Sequence, residues 1–354
     1  MERHIVSPLL VPVLIHLAGA RSRSVRVSAS ASASASASKI GTGTTTNASP
    51  LERFAQHKLF EPRLMKCINQ WLFIPWQAFH CPEIPYAVAW NGIDDKLHYA
   101  IRDAFARTLD IRTIESNFKG IFFDQQVAYL RDDRMTVPKV NFCMYPGTRT
   151  LWAWDTMVDV GTGAQTKIPL MPRPLNRAVI HAATGSIYFT MNMSQQIYKW
   201  SDVSQPTTIS QLNITRRATG VASLIVIAID NKRDELYVFY VQLAEENHSA
   251  PSATETLVYG LDGTCLRVWP GWISRNIEDA AVNETAGHIL IACMSSRAAL
   301  QVFDRHGQPL YRFERTAQCL PWFFYPTFVS VHATTGRVAV VCGRSTRVFV
   351  FDWP

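Results

Sequence analysis

The chain has 354 residues, 47% hydrophobic and 18% charged, with 10 Trp, 11 Tyr and 18 Phe. That is too apolar for a mostly disordered protein and ample for one large domain or two small ones. The net charge is +7, but Arg3, Arg21, Arg23, Arg26 and Lys39 fall near the start and no Lys/Arg run follows, so no nucleic-acid partner is expected.

The opening segment, residues 1–20, reads as a signal peptide. Leu9 to Ala20 is short and apolar, follows Arg3 and His4, and ends in Ala18-Gly19-Ala20, a small-x-small cleavage pattern. It is too short to span a bilayer. Pro8, Pro12 and His16 are atypical of such a core. The Ser/Ala/Thr-rich stretch with Arg and no acid that follows also suits mitochondrial import, which is the alternative to secretion. Residues 21–50 carry too little apolar surface to order and are expected to be a flexible tether. Residues 51–69 are expected to form a short helix or an extended lead-in, with Pro62 interrupting any helix.

Five Asn-x-Ser/Thr sequons occur where chance gives about two. Pro50 makes the Asn47 sequon poor, which leaves Asn192, Asn213, Asn247 and Asn283 as glycosylation candidates. Seven cysteines leave at least one outside any pairing within the chain. Cys67 and Cys81 flank one aromatic segment and are the disulfide candidate in an oxidising compartment. Cys293 and Cys342 fall inside apolar strands and read as small buried residues.

From residue 70 to 354 one phrase recurs: a turn, a β-branched and aromatic run, a polar gap and a second run. It is seen from His181 to Trp200, from Asn283 to Asp304 and from His332 to Asp352, with Gly185, Gly287 and Gly336 at the same point. Repeated strand–turn–strand units starting roughly 45–50 residues apart predict an all-β propeller of six four-stranded blades. The first blade starts at Ile84 to Trp90. The second spans Val140 to Leu170 and the third starts near Ala178. The fourth runs from Ile225 to Trp269, and the fifth and sixth start near Asp279 and Phe328. The chain ends inside a strand, and a propeller that leaves that sheet edge open risks mispairing. Residues 70–76 are therefore expected to join the C-terminal blade as its outer strand, where Pro75 is tolerated.

The repeat resembles several six-bladed propeller families. Pro85 to Val88, Pro326 to Val329, Gly336 and Val348 to Asp352 resemble the NHL-type unit. Gln70-Trp71, Arg149 to Thr156 and Thr184 to Trp200 resemble blades of the yellow / major royal jelly proteins, although their Pro-Arg-Trp strand is absent and Ala100 to Asp103 stands in its place. The second resemblance implies secretion and a small amine or other apolar cation in the channel, received by Trp and Tyr faces. The first implies an intracellular interaction scaffold.

Six-bladed propellers of the lactonase type hold a metal in the channel on Glu, Asn and Asp from several blades, because a hard cation takes oxygen ligands. Glu83, Asp230, Asn231, Glu278 and Asp279 are the candidates here, with calcium the expected ion, and the bland reading pairs each with backbone N–H groups. His181 and His332 occupy one repeat position, mirrored by Asn283, which argues for structural hydrogen bonding. No nucleophile elbow, P-loop or dinucleotide fingerprint follows a strand. Trp322, Phe323, Phe324 and Tyr325, bracketed by prolines, form either an exposed binding loop or packing under a blade. The expected function is a secreted, non-enzymatic propeller with no cofactor, binding a small ligand or protein partner through face loops, such as Ala244 to Glu255, or through the channel. The alternatives are a calcium-dependent lactonase-like hydrolase and an NHL-type scaffold.

Overall fold

The computed structural model describes residues 76–353, apart from 104–107, 115–123, 132–141, 169–174, 192–195, 203–204, 206–207, 217, 219–223, 242–253, 271–272, 274–276, 294–298, 315–322 and 324. The sequence-based expectations for the leader, tether, lead-in and residues 70–75, and for Cys67, Asn192, Asn247, Trp322 and Phe324, lie outside these residues.

The described strands form six four-stranded antiparallel sheets. Blade 1 is β2 (Pro85–Asn91), β3 (Lys96–Asp103), β4 (Thr108–Ile114) and β5 (Asp124–Arg131). Blade 2 is β6 (Phe142–Met144), β7 (Thr150–Ala153), β8 (Thr156–Asp159) and β9 (Gln165–Lys167). Blade 3 is β10 (Leu175–Ile180), β11 (Ile187–Met191), β12 (Ile197–Trp200) and β13 (Ile209–Gln211). Blade 4 is β14 (Leu224–Asp230), β15 (Glu235–Val241), β16 (Thr254–Gly260) and β17 (Cys265–Val268). Blade 5 is β18 (Ile277–Asn283), β19 (His288–Cys293), β20 (Ala299–Asp304) and β21 (Pro309–Glu314). Blade 6 joins β22 (Pro326–Val331), β23 (Val338–Cys342) and β24 (Arg347–Phe351) to β1 (Trp76–His80), which pairs with β24.

The ring thus closes with an N-terminal strand, as the open edge demands. The observed closing strand reaches His80, just short of blade 1. Beyond it, the Cys81 N–H donates to Thr346 O at 2.7 Å and His80 Nε2 lies 3.3 Å from Thr346 Oγ1.

Burial falls from the middle of each blade outward. Every residue of β15 and β23 is buried, because both faces of a second strand meet neighbouring blades, so these strands read as unbroken apolar runs. The outer strand β9 is exposed throughout. Cys293 and Cys342 are fully buried on the equivalent strands β19 and β23.

The hairpin after each inner strand explains the recurring glycine. Gly185, Gly287 and Gly336 have φ of +67°, +73° and +70°, and their N–H groups donate to the carbonyls of His181, Asn283 and His332. Glycine tolerates that left-handed backbone. Blades 1 and 4 place Asp95 and Asp234 at the same position, both at φ 55°. No helix among the described residues is long and apolar enough to cross a membrane.

Candidate ligand cavity on the propeller axis

The inner strands β2, β6, β10, β14, β18 and β22 surround a cavity of about 450 Å³. Its walls are mainly apolar, from Val88, Ala89, Ala178, Ile180, Ala228, Ala281 and Val282, with Trp90, Phe142 and Phe328 among them. At one end it reaches the turns after the inner strands, at Gly92, Gly147, Asn231, Glu284 and Thr334. At the other it reaches Arg177 and Phe328.

The inner strands present a sheet edge to the axis, so the N–H groups on that side need partners from outside their own sheet. Side chains of neighbouring blades supply several. The Trp90 N–H donates to Ser330 Oγ at 3.2 Å. Asp279 accepts the Ala280 N–H on Oδ1 (2.6 Å) and the Val329 N–H on Oδ2 (2.9 Å), joining blades 5 and 6. Glu284 Oε1 accepts both the backbone and the side-chain N–H of Asn231, at 2.8 and 2.9 Å, joining blades 4 and 5.

The turns add a repeated clasp. His181 Nε2 lies 2.9 Å from Asp234 Oδ1, and His332 Nε2 lies 3.2 Å from Asp95 Oδ1. Where the left-handed residue of the next blade is glycine, the clasp is an amide instead, and Asn283 Nδ2 donates to Gly336 O at 2.8 Å. The Thr335 N–H donates to His332 Nδ1 at 3.2 Å, which leaves the ring proton on Nε2, facing Asp95. Burial lowers the His332 pKa and outweighs the opposing pull of Asp95, so the neutral ring is the resting form. Asp230 holds the same repeat position in blade 4, where its Oδ2 lies 3.2 Å from Arg305 Nε. Burial lifts its carboxyl above the ordinary range despite that arginine.

Four of the inner strands, β2, β10, β18 and β22, carry a bulge directly before Ala87, Arg177, Asp279 and Phe328. A bulge re-aims the following side chain. These four residues therefore form one layer. In it an Arg177 Nη pairs with Asp279, and the Arg177 guanidinium lies over the Phe328 ring, 4.2 Å from its centroid. Asp279 is fully buried, while the Arg177 side chain retains 12% exposure and lines the cavity. Beside them Cys143 also lines the cavity, and burial pushes its thiol up to about 12, so it stays protonated.

Four of the five metal-ligand candidates lie on the inner strands or the turn after one, and the structure does not gather them. Glu83 is exposed in the link between β1 and β2. Glu278 is the half-buried extra residue of the β18 bulge. Asp279 lies at the deep end, and Asp230 and Asn231 at the turn end, each engaged as above. Among the described residues no three His, Cys, Asp or Glu side chains converge as a metal cage.

The aromatic run does not lie free where it is described. Phe323 is fully buried, edge-on to Phe349 with centroids 5.2 Å apart. Of the two readings of the run, Phe323 follows packing under a blade: its ring fills space under blade 6. Tyr325 is half-buried at φ 53°, with Arg344 over its ring at 4.6 Å. Of the glycosylation candidates, Asn213 is exposed. Asn283 is fully buried, with its amide engaged by Gly336 O and the Ala286 N–H. Cys81 is buried just past β1, its Sγ 3.9 Å from Phe79 O.

Arg177, Glu284, Asp95 and Asp234 are absent from the sequence-based candidates. A trace of Arg177 exists in the sequence: aligning the inner strands puts an arginine and an aspartate, Arg177 and Asp279, at one repeat position that is apolar in blades 1, 4 and 6 (Ala87, Val226, Phe328).

No family model matches the chain, and no curated protein matches it by sequence. Solved structures do match. A gluconolactonase of Xanthomonas campestris is 13% identical with a TM-score of 0.52, covering 81% of this chain and 93% of that one. A chain of a nidogen/laminin complex is 12% identical with a TM-score of 0.48, covering 66% of this chain and 82% of that one. At such identity the likeness concerns the fold alone: the chain is a six-bladed β-propeller, a scaffold that hosts many unrelated functions.

Proposed function

We propose that the protein is a secreted, non-enzymatic binding propeller that takes a small ligand in its axial cavity. One observation carries this reading. A cavity of about 450 Å³, walled mainly by apolar residues from all six inner strands, has its charged lining side chains, Arg177 and Glu284, at opposite ends. Cavities of this size and lining are the usual form of small-molecule sites. The seam hydrogen bonds hold the walls rigid, so little ordering opposes binding.

Hexanol, a neutral apolar probe, is expected to raise the melting temperature of the wild type. It is expected to stabilise Ala281→Leu, which narrows the cavity, clearly less. Equal stabilisation of both proteins would place binding elsewhere. The competing reading is a calcium-dependent hydrolase. It requires calcium to raise the melting temperature and Asn231→Ala or Glu278→Ala to abolish that rise.

Secretion is supported by the N-terminal pattern and by the exposed Asn213 sequon. Expression in a secreting cell tests it. The product is expected in the medium, starting after Ala20 and shortened by glycosidase. An unglycosylated product retained in the cell and starting at Met1 overturns it.

A further inference from the structure

The deep end of the cavity is asymmetric in charge. Asp279 is fully buried and is not among the lining residues. Both of its oxygens accept backbone N–H groups, and one also meets Arg177. Arg177 does line the cavity. A guanidinium has five N–H donors in a fixed fork. Here one Nη faces Asp279, while the buried Nε has no hydrogen-bond partner. The Phe328 ring lies against the guanidinium and helps hold it in place. Among the described residues, a ligand entering from the turns therefore meets a positioned cation and no carboxylate lining the cavity at that depth. At the turn end the charged lining group is Glu284, an acid. An anion is favoured deep and disfavoured at the rim, and the walls between are mainly apolar, the Ser330 hydroxyl there already accepting from the Trp90 N–H.

We propose that the cavity selects a small monocarboxylate with a compact apolar body, its anion on the Arg177 guanidinium and its body pointing toward the turns. This rests on the reading of the cavity as a ligand site. A carboxylate matches the guanidinium fork better than any neutral oxygen does. An amine meets the wrong charge at depth, contrary to what the yellow-type resemblance implies.

The test is calorimetric titration of the full chain at neutral pH with hexanoate, hexanol and hexylamine, which share one apolar chain and differ in the head group. Wild type is expected to bind hexanoate about tenfold tighter than hexanol, the usual gain of a charge-assisted hydrogen bond, and hexylamine most weakly. Arg177→Gln with Asp279→Asn removes both charges together and is expected to bind hexanoate no better than hexanol. Hexanol or hexylamine binding wild type as tightly as hexanoate overturns the carboxylate assignment and leaves the cavity reading standing. The same preference surviving in the double variant also overturns it. Binding of none of the three by wild type sinks the cavity reading itself. Should the double variant fail to fold, Arg177→Lys decides. A severalfold loss for hexanoate with hexanol unchanged supports the assignment, and unchanged hexanoate affinity overturns it.

Discussion

The two ends of the axial cavity use the same kinds of residue to different effect. At the turn end His181, Asn231, Asn283, Glu284 and His332 each bind a neighbouring blade. At the deep end Asp279 does the same, joining β18 to β22, but Arg177 brings more donors than that seam uses. Polar residues on inner strands of a ring of sheets are thus seam fasteners first, because exposed strand edges need partners. A binding group is recognised where donors exceed what the seam requires.

The sharpest way to break this contrast is to remove the deep carboxylate. Asp279→Ala leaves the Ala280 and Val329 N–H groups unpaired and Arg177 without its counter-charge. The expected cost is about 3–5 kcal/mol in urea unfolding. Arg177→Gln with Asp279→Asn is expected to cost clearly less, since no lone buried charge remains. Equal costs would show that the two residues do not act as a pair.

Acid separates the ends from the rest of the molecule. His98, in blade 1, is buried with Nδ1 2.7 Å from Thr113 Oγ1, and burial, with a lesser push from Lys96, lowers its pKa from 6.5 to about 4. The unfolded chain therefore takes up this proton before the fold does. Stability holds above pH 6.5 and falls as pH drops toward 4. At about 1.4 kcal/mol per pH unit the loss is about 3 kcal/mol. His332 adds to the loss in the same direction. Unfolding followed from pH 7 to pH 4 is expected to show a shallower decline in His98→Gln, and a separate easing in His332→Asn. A slope unchanged by both variants would refute these assignments.

Smaller effects probe the clasp itself. Gly336→Ala forces a side chain into φ +70°, with its Cβ 3.2 Å from the Asn283 amide. About 1–2 kcal/mol should be lost. At pH 7 His332→Asn copies what blade 5 already carries as Asn283, and should shift stability by about 1 kcal/mol or less. A larger loss would mean that the His–Asp and Asn–Gly clasps are not equivalent.

The architecture is legible because second strands such as β15 and β23 are buried on both faces and read as apolar runs, with a turn glycine just ahead of β11, β19 and β23. Outer strands such as β9 and β13 carry few buried residues and leave only a weak pattern. The shared repeat position of His181 and His332 points to hydrogen bonding, and both rings meet an aspartate of the next blade. Their partners Asp95 and Asp234 escaped notice because they belong to the following blade, and for the histidines of blades 3 and 6 that blade is 53 residues ahead or, across the ring closure, at the other end of the domain. Arg177 and Asp279 are about a hundred residues apart in sequence, and only the ring brings them together.

A crystal structure of the protein saturated with hexanoate tests the central claim most directly. The account expects the carboxylate on the Arg177 guanidinium and the alkyl chain between Ala178 and Ala281, its tail toward Glu284. Hexanoate at another surface with the axial cavity free of it, or bound with its carboxylate at the turns, would contradict the account.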